Sequence, residues 1–75
     1  MTVEEVVGKA FNVPPHSLTN DMSKETIQEW DSMGHITLIM ELELVFQVSI
    51  SIEDSMEMVT IGSVKDVLKR YGVNC

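Results

Sequence analysis

Trp30-Asp31-Ser32-Met33-Gly34-His35-Ile36-Thr37-Leu38-Ile39-Met40-Glu41-Leu42-Glu43-Leu44-Val45-Phe46 is the stretch on which the fold turns. It contains no proline, and Asp31 or Ser32 can cap its start, so it predicts a helix from Ser32 to Phe46. At about 100° per residue, Leu38, Ile39, Leu42, Val45 and Phe46 gather on one side, with His35 beside them. Met33, Ile36, Met40 and Leu44 gather nearly opposite. A helix at the edge of a small bundle needs only one apolar face. Either this helix is central and buried all round, or its second face receives partners. The two methionines favour the second reading, because Met adapts to more than one surface.

Upstream, Asn12 to Asp31 follows neither helical nor strand period. Pro14, Pro15, Ser17, Asn20, Asp21 and Ser23 are loop formers, while Val13, Leu18, Met22, Ile27 and Trp30 can pin the segment to a core. A helical turn is expected near Lys24 to Glu29. So long a connection in a small domain points to function. Before it, Thr2-Val3-Glu4-Glu5 reads as a capping box. Val3, Val6, Val7, Ala10 and Phe11 make one stripe, predicting a first helix over Val3 to Phe11. Downstream, Val48 to Ile52 alternates like a strand but has no partner strand. It reads as an extended linker into a short helix over Glu53 to Met58, with Ser51 or Ile52 near the cap. Thr60 then caps a last helix whose Ile61, Val64, Val67, Leu68 and Tyr71 share a face; Lys69 and Arg70 suit its negative end and Gly72 its stop. The expected fold class is all-α: a four-helix bundle of three main helices and one short one, with a long loop between the first and second. Residues 1–75 are read as a single domain.

The 75 residues carry five Lys and Arg against twelve Asp and Glu, a net charge of −7. That balance argues against nucleic acid, whose phosphates require a basic patch, and against anionic membrane surfaces. Macromolecular partners of so acidic a chain are expected to be basic. Glu41, Glu43, Glu53, Asp54 and Glu57 lie near the second apolar face in the expected bundle and are candidates for steering them. With 44% hydrophobic residues the chain is too apolar to be disordered. Cys75 is the single cysteine, which excludes an internal disulfide and a cysteine-based zinc site, and suits a reducing cytoplasm. It is expected to be an idle tail thiol. No signal peptide and no membrane-length apolar run is visible, so a cytoplasmic protein without membrane insertion is expected.

Asp31-Ser32-Met33 opening a helix after a long loop, in a small acidic chain of three long helices and one short, resembles the acyl carrier proteins. Their hallmark is Asp-Ser-Leu at the start of the second helix; Met33 is a conservative departure from Leu. The likeness continues through Leu38, Leu42 and Phe46, through Ile50 to Thr60, and into the last helix. The Trp-Asp-Ser-x-Gly-His form looks like that of discrete carriers serving dedicated pathways. The resemblance implies that Ser32 carries 4′-phosphopantetheine derived from coenzyme A. It also implies that Asp31 helps a phosphopantetheinyl transferase (a holo-carrier synthase with its own Mg²⁺) recognise the site. The chain itself would catalyse nothing. It would hold acyl groups as thioesters and present them to acyl-loading and acyl-transfer enzymes in fatty acid or specialised lipid or polyketide biosynthesis, as a monomer. Met33, Ile36, Met40, Glu43 and Leu44 would face those partners. Gly34 would leave the first turn unobstructed. Gly34, Thr37 and Leu44 stand where fatty-acid carriers tend to have acids, so docking is expected to be more apolar than electrostatic.

The junction admits two other readings. A hydrolase pairing Ser32 with His35 would need an orienting acid, an oxyanion hole and a substrate pocket, for which this length leaves little room. His35 is better read as a packing or hydrogen-bonding residue, and His16 as plain loop; neither has a metal-ligand neighbour at usable spacing. A small acidic helical interaction module, with Ser32 as a mere helix cap, is the rival from another class. Within the carriers, a peptidyl or aminoacyl carrier is the alternative, although Gln28-Glu29-Trp30-Asp31 lacks the Leu-Gly-Gly-His/Asp-Ser pattern usual there.

Overall fold

The computed structural model describes residues 1–74, and the expectation for Cys75 lies outside them. Its order is α1 (Val3–Phe11), a 3₁₀ turn (Pro15–Ser17), α2 (Ser32–Phe46), α3 (Ile52–Met56) and α4 (Ile61–Arg70). Among the described residues there is no strand, and the fold is the all-α bundle with a long first loop.

Local chemistry explains the ends of the helices. The Thr2 hydroxyl accepts the Glu5 N–H at 3.1 Å while the Glu5 carboxylate accepts the Thr2 N–H at 2.8 Å. The α1 helix stops at Asn12, which adopts a left-handed conformation with φ 58°. Thr60 and Ser63 form the equivalent reciprocal cap on α4. At the far end of α2, Gln47 is left-handed with φ 54° and its N–H closes on the Glu43 carbonyl.

Val3, Val6, Val7 and Phe11 of α1, Leu38 and Leu42 of α2, and Ile61, Val64, Val67 and Leu68 of α4 form the buried core. The long loop contributes Leu18, Ile27 and Trp30 to it. Two loop carbonyls hold the start of α4: Met22 accepts the Ile61 N–H at 3.0 Å and Asn20 the Gly62 N–H at 2.8 Å.

Two expectations need correction. The short helix runs over Ile52–Met56 with Ser51 as its cap, not Glu53 to Met58. It ends early because the chain tightens, with Glu57 N–H bonding Asp54 and Met58 N–H bonding Ser55. This turns Met58 into the core, where it is 1% exposed. The expected helical turn near Lys24 to Glu29 is two successive tight turns and not a helix segment, with the Thr26 and Ile27 amides on the Ser23 carbonyl and the Trp30 amide on the Ile27 carbonyl. Phe46, on the core side as expected, is half-buried, as are Ile39 and Val45; all three pack against the edge of the core and not within it.

Candidate functional site

Asp31, in an extended conformation, accepts the Gly34 N–H on its side chain at 2.8 Å and the His35 N–H on its carbonyl at 2.8 Å. It is the cap, which makes Ser32 the first helical residue. Ser32 is exposed, and its hydroxyl has no hydrogen-bond partner among the described residues. The amides of Ser32 and Met33 have no acceptor within the helix, and the helix dipole is positive here. Ser32 therefore presents a nucleophilic oxygen at a place that favours a negatively charged substituent. Its separation from the capping role removes the basis of the mere-cap reading.

The apolar stripe is on the surface. Met33 is 73% exposed, Ile36 55%, Met40 64% and Leu44 75%. The opposite side holds Leu38 and Leu42, both fully buried. Burial of α2 all round is thus excluded. Sequence reasoning missed that Ile52, Met56 and Val59 are also exposed; the signal was their placement among Glu53, Asp54, Ser55 and Glu57, in and just after a helix too short to define a face.

The acids are less available than expected. Glu43 is half-buried and its carboxylate accepts the Ile50 N–H at 2.8 Å, tying the α2–α3 linker to α2. Glu41 is also half-buried, and Glu53 is exposed. Asp54 accepts the Tyr71 hydroxyl, and that bond, with Ser51 and Arg70 adding to it, holds its carboxyl below the usual carboxylate range. Glu57 pairs with Arg70 at 2.9 Å. Two of the five acids thus already face a cation.

Gly34 does not open the first turn to solvent. A Cβ there would lie 2.0 Å from the Glu29 carbonyl oxygen and 3.1 Å from the Phe11 ring, so glycine is what lets loop and helix approach. No side chain, acidic or otherwise, fits at this position. Thr37, exposed, returns its hydroxyl to the Met33 carbonyl.

His35 lies on the inner side, half-buried, as a hydrogen-bonding residue. Its Nδ1 accepts the Trp30 indole N–H at 2.9 Å, and its Nε2 lies 2.9 Å from the Ser55 carbonyl of α3. Trp30 packs on Phe11 with ring centroids 5.7 Å apart. His16 is exposed in the 3₁₀ turn. Among the described residues no helix is long and apolar enough to cross a membrane.

No protein-family model matches this chain, and no curated protein matches it. Among solved structures, the backbone is similar to that of a chain from Mycobacterium tuberculosis provisionally described as an acyl carrier protein. The TM-score is 0.79 at 23% sequence identity, over 93% of this chain and 99% of that one. At that identity the likeness shows the fold, which is that of the acyl carrier proteins.

Proposed function

We propose that this chain is a carrier domain that holds acyl groups on a 4′-phosphopantetheine arm joined through a phosphodiester to Ser32. The observation that carries the reading is Ser32 itself: exposed, without an internal hydrogen bond, and first in a helix that Asp31 caps. The residues fit such a group, since the exposed hydroxyl stands where the dipole and two unpaired amides favour a phosphodiester anion. When attached, the arm supplies a terminal thiol on which a carboxylic acid is held as a thioester.

The chain's own residues do the rest. Asp31 fixes the first turn and stays exposed for a phosphopantetheinyl transferase to recognise. Met33, Ile36, Met40 and Leu44 give that enzyme, and later the acyl-loading and acyl-transfer enzymes, an apolar surface next to the attachment point. Tethering raises the effective concentration of cargo at an enzyme that docks only briefly. Glu43 and the remaining acids of α3 steer basic partners from the edge of this contact. The chain catalyses nothing, and works as one monomeric domain in the cytoplasm.

The test is incubation with coenzyme A, Mg²⁺ and a broad-specificity phosphopantetheinyl transferase, read by intact-protein and peptide mass spectrometry. One phosphopantetheine on Ser32, and none on Ser32→Ala, is the expected outcome. Label on Ser49 or Ser51 would overturn the site, and no label with several transferases would overturn the carrier reading.

A further inference from the structure

The Trp30–His35–Ser55 chain of contacts joins three parts of the molecule that meet around Ser32. Trp30 is the last core residue of the long loop and immediately precedes the cap. His35 is in the first turn of α2, and Ser55 is in α3. The Ser55 carbonyl can only accept and the Trp30 indole N–H can only donate. The imidazole between them must therefore carry its hydrogen on Nε2 and keep the Nδ1 lone pair for Trp30. The two rings lie 15° from parallel with centroids 6.3 Å apart, as such an edge-to-edge bond requires.

We propose that His35 is a positioning residue: as neutral imidazole it clamps Trp30 and α3 about the first turn of α2, and it releases Trp30 when protonated. A second proton on Nδ1 would set one N–H against another. Trp30 is 1% exposed, so no water is at hand for its indole N–H. The element on the other side of the clamp is poorly anchored. None of the residues of α3 is buried, and Ile52 and Met56 point to solvent. Besides His35, α3 and its two caps are held by the Tyr71 hydroxyl, on Asp54 and the Ser51 N–H, and by Arg70, on Asp54 and Glu57.

The charged groups of the elements around the ring are Glu29 and Asp31 of the loop, Glu53 and Asp54 of α3 with Glu57 just after it, and Glu41 and Glu43 further along α2. Asp31 is committed to the Gly34 N–H, while Asp54 and Glu57 face Arg70 at 3.8 and 2.9 Å. The ring's own two hydrogen-bond partners, the Trp30 indole and the Ser55 carbonyl, are uncharged.

The consequence for Ser32 rests on the carrier reading, but the clamp is testable without it. Trp30 is the single tryptophan, so its indole gives one nitrogen–proton resonance in the full chain. At neutral pH ¹⁵N spectra should show His35 as the Nε2–H tautomer and a protected indole. Lowering the pH until the imidazole is protonated should raise indole hydrogen exchange at least tenfold, in step with the His35 ring signals in the same spectra. His35→Asn places Oδ1 where Nδ1 was, and should keep the indole protected and remove the pH step. His35→Phe should lose the protection at every pH. An Nδ1–H tautomer, or an indole indifferent to the titration of His35, would overturn the clamp.

Loading of phosphopantetheine gives the second arm. His35→Phe should raise the transferase's KM for this chain threefold or more with kcat kept, and His35→Asn should restore it. Equal KM for wild type and His35→Phe would end the positioning role while leaving the carrier function standing. A wild type that takes no phosphopantetheine would end the carrier reading, and the indole measurement would still decide the clamp.

Discussion

The α2 and α4 helices both start from a side chain that accepts the third helical amide, and they present opposite surfaces. On α4, Ile61, Val64, Val67 and Leu68 are buried, and the outer side carries Asp66, Lys69 and Arg70. On α2 only Leu38 and Leu42 are fully buried, and the outer side carries Met33, Ile36, Met40 and Leu44. The α4 helix spends its apolar residues on folding and is finished with them. Four of the nine on α2 are left outside the core. Lone exposed apolar residues are ordinary, but four at helical spacing beside an unpaired serine form a patch of the kind that marks contact with another molecule. The difference teaches that the two faces of α2 answer to different demands, and that stability measurements can separate them.

The sharpest separation is between neighbours on that helix. Leu42→Ala should cost about 2–5 kcal/mol, a large share of a small domain's stability, because the bundle cannot close over the cavity. Leu44→Ala, two residues on, should stay within about 0.5 kcal/mol of wild type. Chemical denaturation of both variants checks this, and comparable losses would mean that the outer face is packed in solution.

Gly34→Ala comes next, and tests the join between loop and helix. Alanine improves helix propensity by about 1 kcal/mol. Here its methyl would collide with the Glu29 carbonyl at 2.0 Å, which backbone movement alone can relieve. A net loss of about 1–3 kcal/mol is expected from such overpacking. A gain in stability would show that the loop gives way freely, and that Trp30 and Asp31 are not held as described.

Much of this was legible in advance, and what was not shares one cause. The caps at Thr2 and Thr60 and the stripes on α1 and α4 are local, within a helical turn or two, and sequence spacing suffices for them. Ser32 and the outer stripe of α2 were readable for the same reason. The role of Gly34 was not, because it depends on a carbonyl brought near by the fold of the loop. Glu43 looked like a free acid until the linker returned Ile50 to it. The early end of α3 follows from the pull of the core on Met58, and the irregular loop owes its shape to bonds from the α4 amides. All four depend on how the chain folds back outside the regular helices, which the spacing along a helix does not encode.

The functional side of the comparison predicts a smaller energetic effect with a specific signature. Met40→Glu and Leu44→Glu should leave the melting temperature near wild type, yet slow acyl transfer by a cognate enzyme about tenfold, equivalent to about 1.4 kcal/mol. Salt should weaken wild-type transfer only modestly. Charges are screened beyond about 8 Å at 0.15 M, while apolar burial is little affected, and Glu43, Asp54 and Glu57 are already engaged. Wild-type rates in both variants would dismiss the stripe as a docking face, and a steep salt dependence would return the leading role to the acids.

The smallest effect should come from the polar tie between α3 and α4, where only pH makes it visible. Tyr71 holds the Asp54 carboxyl below its ordinary range by donating its hydroxyl, with Ser51 and Arg70 assisting. A carboxylate whose folded-state value is depressed adds stability that is fully present above the unfolded value, about 3.9 for Asp, and is lost as pH falls through the folded value. Tyr71→Phe removes the leading cause of that depression and should lower stability at neutral pH. The gap between wild type and variant should then narrow as the pH is taken below about 4. Denaturation midpoints from neutral to strongly acid pH measure it. A gap that stayed constant, or widened in acid, would mean that the Tyr71 ring and not its hydroxyl does the holding, and that α3 is anchored more by packing than its exposed Ile52 and Met56 indicate.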